Sequence, residues 1–170
     1  MISTAVLTIS DSVVAGTRED RSGEAVRERV ERLGWRLASQ DVVPDEADLI
    51  STKLRDFADV DHIPVVLTTG GTGIALRDVT PEATREVIDR EIPGLAEVMR
   101  SEGRKSTPFA ALSRCVAGSR GSTLIVNLPG SPKGAVESLD AVANLIPHIV
   151  DLLHGKTRHD TTPESKHRLL

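Results

Sequence analysis

Residues 64–73 read PVVLTTGGTG, and this stretch decides the fold. Its first half is a short apolar run rich in β-branched residues, which is typical of a buried strand. Its second half holds three glycines within four residues, which is typical of a tight loop that follows the strand directly. A strand that ends in such a loop predicts an α/β protein whose ligand site lies at the carboxyl ends of parallel strands.

The same order of strand and helix precedes this stretch. Residues 5–9 and 37–43 are strand-like, and each is followed by apolar residues at helical spacing. Three such units in series predict a doubly wound, mostly parallel sheet with helices on both faces. Residues 115–117 and 123–127 predict two further strands, joined by a turn region at 118–122, so that one of them can run antiparallel to the rest. Aromatic residues make up only 2% of the chain, so the core is expected to be aliphatic.

Capping residues predict where the helices begin and end. Ser22 is the predicted cap of a helix that Gly34 ends. Thr80 followed by Pro81 predicts a cap and a first helical position. Pro147 is expected to break or bend the last helical stretch.

Length and charge limit the classes of protein to which the chain can belong. We expect its 170 residues to form one α/β domain over residues 1–155, followed by a polar, flexible tail at 156–170. The 21 basic and 25 acidic residues give a net charge of −4, with no basic stripe between aromatics, so no nucleic-acid partner is expected. Residues 1–7 carry no leader-like or long apolar pattern, which predicts a cytoplasmic protein without membrane insertion.

The cysteine and histidine residues suggest no further chemistry. Cys115 is the only cysteine, which excludes an internal disulfide, and its strand-like neighbours predict a buried core thiol. The histidines at 62, 148 and 154 have no ligand-like spacing, so neither a zinc site nor a Ser-His-Asp triad is indicated.

The glycine-rich loop predicts an anion site, because its free backbone N–H groups can converge on phosphate oxygens. A plain tight turn would show the same glycines. Arg77 and Asp78 follow the loop and favour the ligand site, since one can neutralise phosphate and the other can hold a divalent cation. No Gly-Lys-Ser or Gly-Lys-Thr follows the glycines, which disfavours P-loop ATPase chemistry.

Other loops bring further polar groups to the same edge of the sheet. Asp11 and Asp20 follow the first strand and Asp45 follows the second, so paired carboxylates there can coordinate magnesium. Each of them can instead be a turn former or a helix cap. Residues 127–133 form a rigid proline-glycine loop whose Lys133 can reach an anion, or simply a stiff turn.

Six motifs, in this order along the chain, together resemble the Mog/MoaB family of molybdenum-cofactor biosynthesis proteins, which includes the G domain of gephyrin. The similarity runs from about residue 4 to residue 155. The motifs are Ser10-Asp11, Pro44-Asp45-Glu46, Thr68-Thr69-Gly70-Gly71-Thr72-Gly73, Arg77-Asp78-Val79-Thr80-Pro81, Ala111-Leu112-Ser113-Arg114 and Asn127-Leu128-Pro129-Gly130.

The resemblance implies the Mog/MoaB-like fold and a molybdopterin adenylyltransferase, which transfers AMP from ATP to the terminal phosphate of molybdopterin with Mg²⁺ and releases pyrophosphate. A phosphate nucleophile is already ionised near neutral pH, with a second pKa of about 6, and needs no strong base. Asp45 and Asp78 match the family's catalytic acidic residues, and the resemblance implies that they hold the magnesium. The implied substrate-binding residues are Ser10, Asp11, Thr69, Gly70, Gly71, Thr72, Gly73, Arg77, Ser113, Arg114, Asn127, Pro129, Gly130 and Lys133.

The resemblance also implies a homotrimer and a downstream molybdenum-inserting enzyme as a partner. The alternative function is a non-catalytic module of the MoaB-like branch that binds molybdopterin or a nucleotide without turnover. Because Asp45 and Asp78 are both present, the sequence favours the enzyme.

Overall fold

A computed structural model describes residues 1–156. Within these residues six strands form one mixed sheet. In chain order they are β1 (Ser3–Ile9), β2 (Arg36–Val43), β3 (Val65–Thr69), β4 (Arg90–Glu91), β5 (Ala117–Arg120) and β6 (Thr123–Leu128). Their spatial order is β2-β1-β3-β6-β5-β4.

The described residues also contain seven α-helices, one π-helical turn and one 3₁₀ turn. The helices are α1 (Asp11–Val14), α2 (Arg21–Arg32), α3 (Ala47–Arg55), α4 (Thr80–Val87), α5 (Pro93–Gly103), α6 (Pro132–Val142) and α7 (Ile146–Leu153). A π-helical turn (Asp56–Val60) extends α3, and a 3₁₀ turn (Pro108–Leu112) follows α5.

The four central strands, β2, β1, β3 and β6, are parallel, and their register aligns their carboxyl ends. Thr69 near the end of β3 lies opposite Thr8 on one side and Leu128 on the other. The predicted doubly wound, mostly parallel sheet is therefore confirmed. The chain leaves β1 toward β2 on one side and returns to β3 on the other, so the topological switch point lies between β1 and β3.

The predicted antiparallel strand is also confirmed, but its position was wrong. It is β5, which pairs with β6, and it includes Gly118 to Arg120, which the sequence assigned to the turn. A Cβ on Gly118 would lie 2.5 Å from the carbonyl oxygen of Arg90. The glycine therefore allows the close approach of the edge strand β4.

Helices cover both faces of the sheet, as predicted. Buried residues of α2, α5, α6 and α7 form one apolar cluster, and those of α3, α4 and the π-helical turn form the other. Both clusters are mainly aliphatic, and Phe57 is fully buried in the second. Cys115 is buried as expected, and its burial raises the pKa of the thiol.

Two predicted helix caps need correction. Asp20, not Ser22, caps α2, because its carboxylate accepts a hydrogen bond from the Gly23 amide at 2.9 Å. Thr80 lies inside α4, and its hydroxyl donates to the carbonyl of Gly70 at 3.0 Å instead of capping the helix. The predicted break at Pro147 is confirmed, because the last helical stretch is divided into α6 and α7, and Pro147 lies in the first turn of α7, where the N–H that proline lacks would have no helical partner.

Among the described residues, no helix has both the length and the apolar character needed to cross a membrane. The predicted flexible tail at 156–170 lies outside the described residues, except for Lys156.

Candidate functional site

Four loops meet at the carboxyl edge of the parallel strands, because those strands end in register. The loops after β1 and β3 are in close backbone contact, since a Cβ on Gly70 would lie 2.2 Å from the carbonyl oxygen of Ile9. The loop after β6 packs on the same residue, with the Cβ position of Gly130 3.3 Å from the Cα of Gly70. Only glycine fits at the centre of this contact.

The glycine loop, residues 70–73, has the conformation that its sequence predicts. Gly70 and Gly71 have φ values of 103° and 65°, in the region that favours glycine. The Thr80 amide donates to the Gly71 carbonyl at 3.1 Å. Within residues 1–156 the amides of Gly71, Thr72 and Gly73 donate to no protein acceptor, so three consecutive N–H groups remain for an anion.

Arg114 holds this loop in place. Its guanidinium donates to the carbonyl oxygens of Gly73 and Asp78 at 2.7 and 2.6 Å. Its backbone amide donates to the Thr72 carbonyl at 2.9 Å, and it also pairs with Glu82. The fixed fork of donors of an arginine suits such a role, and these contacts make Arg114 a support for the loop.

A cavity of about 480 Å³ at this edge is lined by five residues with carboxylates, and we call it the acidic cavity. It lies at the switch point, between the strand ends and the N-terminus of α2. Its lining residues are Thr8, Ile9, Ser10, Asp11, Ser12, Val13, Arg18, Glu19, Asp20, Arg21, Ser22, Asp45, Gly70, Gly71, Asp78, Gly130 and Ser131.

Asp11 and Asp45 hold each other through reciprocal hydrogen bonds. The Asp11 amide donates to Oδ2 of Asp45, and the Asp45 amide donates to Oδ1 of Asp11, both at 3.0 Å. Arg77 adds a two-pronged ion pair to Asp11, with distances of 2.6 and 3.0 Å. This network fixes the Asp45 carboxylate relative to the glycine loop.

The pKa values of these two carboxylates are shifted in opposite directions. Hydrogen bonding from Arg77 lowers the pKa of Asp11. Burial raises the pKa of Asp45, and the negative charges of Asp11 and Asp78 raise it further. A bound cation would offset this penalty, which makes the acidic cavity a suitable place for one.

Asp45 and Asp78 fit the coordination habits of magnesium. One oxygen of Asp78 accepts from the Ala75 amide at 2.9 Å, which orients the carboxylate. In the described part of the chain no three His, Cys, Asp or Glu side chains are arranged to hold a metal by themselves. Mg²⁺ commonly binds through one or two carboxylates together with substrate phosphates, and these two aspartates supply that partial set.

A second cavity, about 310 Å³, is lined mainly by apolar groups of α5, α6 and the 3₁₀ turn, and we call it the apolar cavity. Phe109 lines it although 74% of this side chain is exposed. The lining residues are Thr72, Gly73, Met99, Arg100, Gly103, Thr107, Phe109, Ala110, Leu112, Ser113, Pro129, Gly130, Ser131, Gly134, Glu137 and Ser138.

The glycine loop separates the two cavities. Gly70 and Gly71 line the acidic cavity, while Thr72 and Gly73 line the apolar one. Gly130 and Ser131 line both. Two ligands can therefore occupy separate cavities and still bring phosphate groups to the same loop.

The structure brings most of the sequence-predicted site residues to these cavities. Those that line the acidic cavity are Ser10, Asp11, Asp45, Gly70, Gly71, Asp78 and Gly130, and those that line the apolar one are Thr72, Gly73, Ser113, Pro129 and, again, Gly130. Five others line neither cavity, namely Thr69, Arg77, Arg114, Asn127 and Lys133.

The predicted residues outside the cavities have other contacts. Thr69 donates to the Pro129 carbonyl at 2.7 Å. Asn127 is fully buried, where its amide donates to the hydroxyls of Thr68 and Thr84. Lys133 is exposed and lies 3.7 Å from Glu137.

Sequence reasoning missed Arg18, Arg21 and Ser131, as well as the residues of α5 in the apolar cavity. Ser131 was detectable, because it precedes a proline and caps α6 through the Gly134 amide. The two arginines flank Asp20, which was already placed at this edge. No local signal marked Met99 and Arg100, because helix packing alone brings α5 to the site.

Comparisons with known proteins agree with this geometry. A family model described as "Probable molybdopterin binding domain" matches residues 5–148. The molybdopterin adenylyltransferase of Helicobacter pylori is 45% identical over 88% of this chain and 86% of its own length. The Drosophila melanogaster protein cinnamon, a molybdenum cofactor synthesis protein, is 44% identical over 87% of this chain, which spans 25% of the length of cinnamon.

Solved structures show the same fold. The molybdopterin biosynthesis enzyme MoaB of Thermus thermophilus is 52% identical, with a TM-score of 0.87 over 92% of this chain and 98% of that chain. The Mog protein of Mycobacterium ulcerans is 38% identical, with a TM-score of 0.83 over 90% of this chain and 99% of that chain. The chain therefore belongs to the Mog/MoaB family of molybdenum-cofactor biosynthesis proteins.

Proposed function

We propose that the chain acts in molybdenum-cofactor biosynthesis as a molybdopterin adenylyltransferase, which transfers AMP from ATP to the terminal phosphate of molybdopterin. The observation that carries this proposal is the position of the glycine loop between two cavities. The reaction must bring two phosphate-bearing substrates together, and this loop offers free amides next to both cavities. The names of the full-length relatives support the same reaction.

In the proposed reaction an oxygen of the molybdopterin phosphate attacks the α-phosphorus of ATP. A new P–O bond forms, the bond from the α-phosphorus to the bridging oxygen of the β-phosphate breaks, and pyrophosphate leaves with the bonding electrons. No proton has to be removed from the nucleophile, because the phosphate is ionised near neutral pH. The main task of the protein is to align the two phosphates and offset their repulsion.

Carboxylates of the acidic cavity, amides of the glycine loop and the neighbouring Arg77 would share this task. Asp45 and Asp78 would hold magnesium, which supplies positive charge where two anions approach. The amides of Gly71, Thr72 and Gly73 would hold phosphate oxygens. Backbone amides do not ionise near neutral pH, so their partial positive charge does not depend on pH. Asp11 and Arg77 keep Asp45 in position through the hydrogen bonds described above.

Pyrophosphate release from ATP, measured with and without molybdopterin in the presence of Mg²⁺, tests the proposal. We expect release that depends on molybdopterin and is stoichiometric with adenylylated product. Binding of both substrates without release would refute adenylyl transfer and would instead support a module that binds molybdopterin or a nucleotide.

We further propose a cytoplasmic homotrimer, with residues 1–155 as the functional domain and a downstream molybdenum-inserting enzyme as its partner. Exposed apolar side chains such as Ile74, Leu76 and Leu112 support assembly, since burying them would be favourable. A particle mass of 18 kDa by light scattering at micromolar concentrations would refute the trimer. We also propose that residues 156–170 are dispensable for folding and catalysis, and loss of stability or turnover after truncation at Gly155 would refute this.

A further inference from the structure

We propose that Arg18 and Arg21 bind the β- and γ-phosphates of ATP and stabilise the departing pyrophosphate. This deepens the proposed adenylyl transfer and rests on it. It assigns the acidic cavity to the triphosphate and leaves the apolar cavity to the second substrate.

The first argument is that these two cationic side chains face the cavity without a protein partner. Both line the acidic cavity. Within residues 1–156 neither guanidinium lies within ion-pair distance of a carboxylate or donates a side-chain hydrogen bond. The other arginines near the glycine loop are engaged, Arg77 with Asp11 and Arg114 with loop carbonyls.

The second argument is their position along the cavity. Arg18 lies on the segment between α1 and α2, and Arg21 is the first residue of α2. Both side chains are exposed, whereas Gly70 is buried at the end of β3, so the arginines lie on the solvent side of the acidic cavity. A triphosphate with its α-phosphate at the glycine loop would point its terminal phosphates toward this side.

The third argument is charge. When the bond between the α-phosphorus and the bridging oxygen breaks, the electron pair stays on pyrophosphate, whose negative charge increases. The cavity itself carries five carboxylates, so this charge must be met by cationic groups. Arginine binds phosphate oxygens through two parallel hydrogen bonds, which suits a leaving group with several equivalent oxygens.

Calorimetric titration of ATP, AMP and inorganic pyrophosphate, each with Mg²⁺, tests the assignment on the double variant Arg18→Gln and Arg21→Gln. We expect the affinity for ATP and pyrophosphate to fall about 100-fold, or about 10-fold for each arginine, because each loses charge-assisted hydrogen bonds. The affinity for AMP should change less than about 2-fold. Both side chains are exposed, so the variants are expected to fold.

The matched control is Arg32→Gln at the far end of α2, which removes an exposed arginine paired with Glu28 and should leave all three affinities unchanged. An equal loss of ATP and AMP affinity, or no loss of either, would overturn the assignment. Calorimetric titration measures binding alone, so this test does not depend on catalytic activity. The two proposals can fail separately. If the double variant loses affinity for ATP but not for AMP, and the wild-type protein releases no pyrophosphate, the phosphate site is supported and adenylyl transfer is refuted.

Discussion

The acidic and the apolar cavity share a wall but are built from different parts of the fold. The acidic cavity is lined largely by loops that follow parallel strands, which bring Asp11, Asp45 and Asp78 together. The apolar cavity is formed by α5, α6 and the 3₁₀ turn, which present Met99 and Phe109. In the proposed reaction the strand ends would supply the charged groups for the chemical step, whereas the packed helices would supply an apolar surface for substrate binding.

This difference predicts distinct effects of substitution. Changes at the carboxylates of the acidic cavity, Asp45 and Asp78, should lower turnover more than affinity, because these groups would offset charge that develops during the reaction. Changes in the apolar cavity should lower affinity for one substrate and leave turnover nearly intact. Changes in the shared glycine loop should affect both cavities.

The largest expected effect is that of Asp78→Asn. The amide keeps the shape but removes the charge that would hold magnesium, so we expect turnover to fall at least ~100-fold, or ~2.7 kcal/mol in the barrier. Ligand affinity should change little, because the free amides of the glycine loop remain. Single-turnover adenylylation at saturating ATP, molybdopterin and Mg²⁺ measures this.

Asp45→Asn should behave similarly, and the double variant should lose less than the product of the two single losses if both carboxylates serve one metal. An Asp78→Asn protein that reacts at the wild-type rate would refute the assigned role.

The second effect concerns the glycine loop that the two cavities share, and we expect it in the free energy of unfolding. Gly70→Ala should destabilise the protein by ~2 kcal/mol more than Gly16→Ala, as measured by denaturant unfolding. Both glycines have positive φ, but a Cβ on Gly16 meets no atom within 4 Å, while one on Gly70 meets the Ile9 carbonyl. Equal losses would show that the loop can move away from β1 without cost.

The third effect separates the cavities by substrate. Phe109→Ala should raise the KM for the substrate of the apolar cavity about 10-fold through lost contact with a planar ring, with kcat nearly unchanged. Phe109→Leu is the control that keeps apolar area without the flat face. Stability should not change, since Phe109 is mostly exposed. A rise in both KM values would mean that the two cavities do not bind separate substrates.

The smallest effect is a pH dependence that arises from Asp45. Its pKa is raised in the folded protein, so the folded state binds this proton more tightly than the unfolded chain does. Stability should therefore fall as pH rises through this pKa, and the loss should be complete at neutral pH. Asp45→Asn should be more stable than wild type at pH 7 by less than ~1 kcal/mol, with the difference vanishing in acid.

Thermal unfolding of the ligand-free proteins across pH measures this difference. The opposite trend, with Asp45→Asn less stable at neutral pH, would show that the Asp45 charge stabilises the empty site. The pH dependence of turnover should have the opposite sign to that of stability, because the ionised carboxylate is the form that binds a cation. At Mg²⁺ concentrations well below saturation, activity should therefore fall at a higher pH on the acid side than an ordinary aspartate would give, and saturating Mg²⁺ should reduce this difference.

Much of the acidic cavity was predictable because its residues directly follow strands. The carboxyl ends of parallel strands must meet at one edge, so strand order alone predicted that Asp11, Asp45 and Gly70 lie together. The roles of Arg114 and Asn127 were not predictable. Both carry side chains typical of ligand contacts, yet the fold turns their donors toward loop carbonyls and buried hydroxyls.

The glycine loop, the order of the βα units and the carboxylates at the strand ends follow from the amino-acid sequence, because short-range pattern and strand direction suffice for these. The packing of α5, and with it the apolar cavity around Phe109, is set only by the folded chain. The same holds for Arg18 and Arg21, which line the acidic cavity without an ion-pair partner among the described residues. Such features depend on distances between segments far apart in the chain, which local periodicity does not encode.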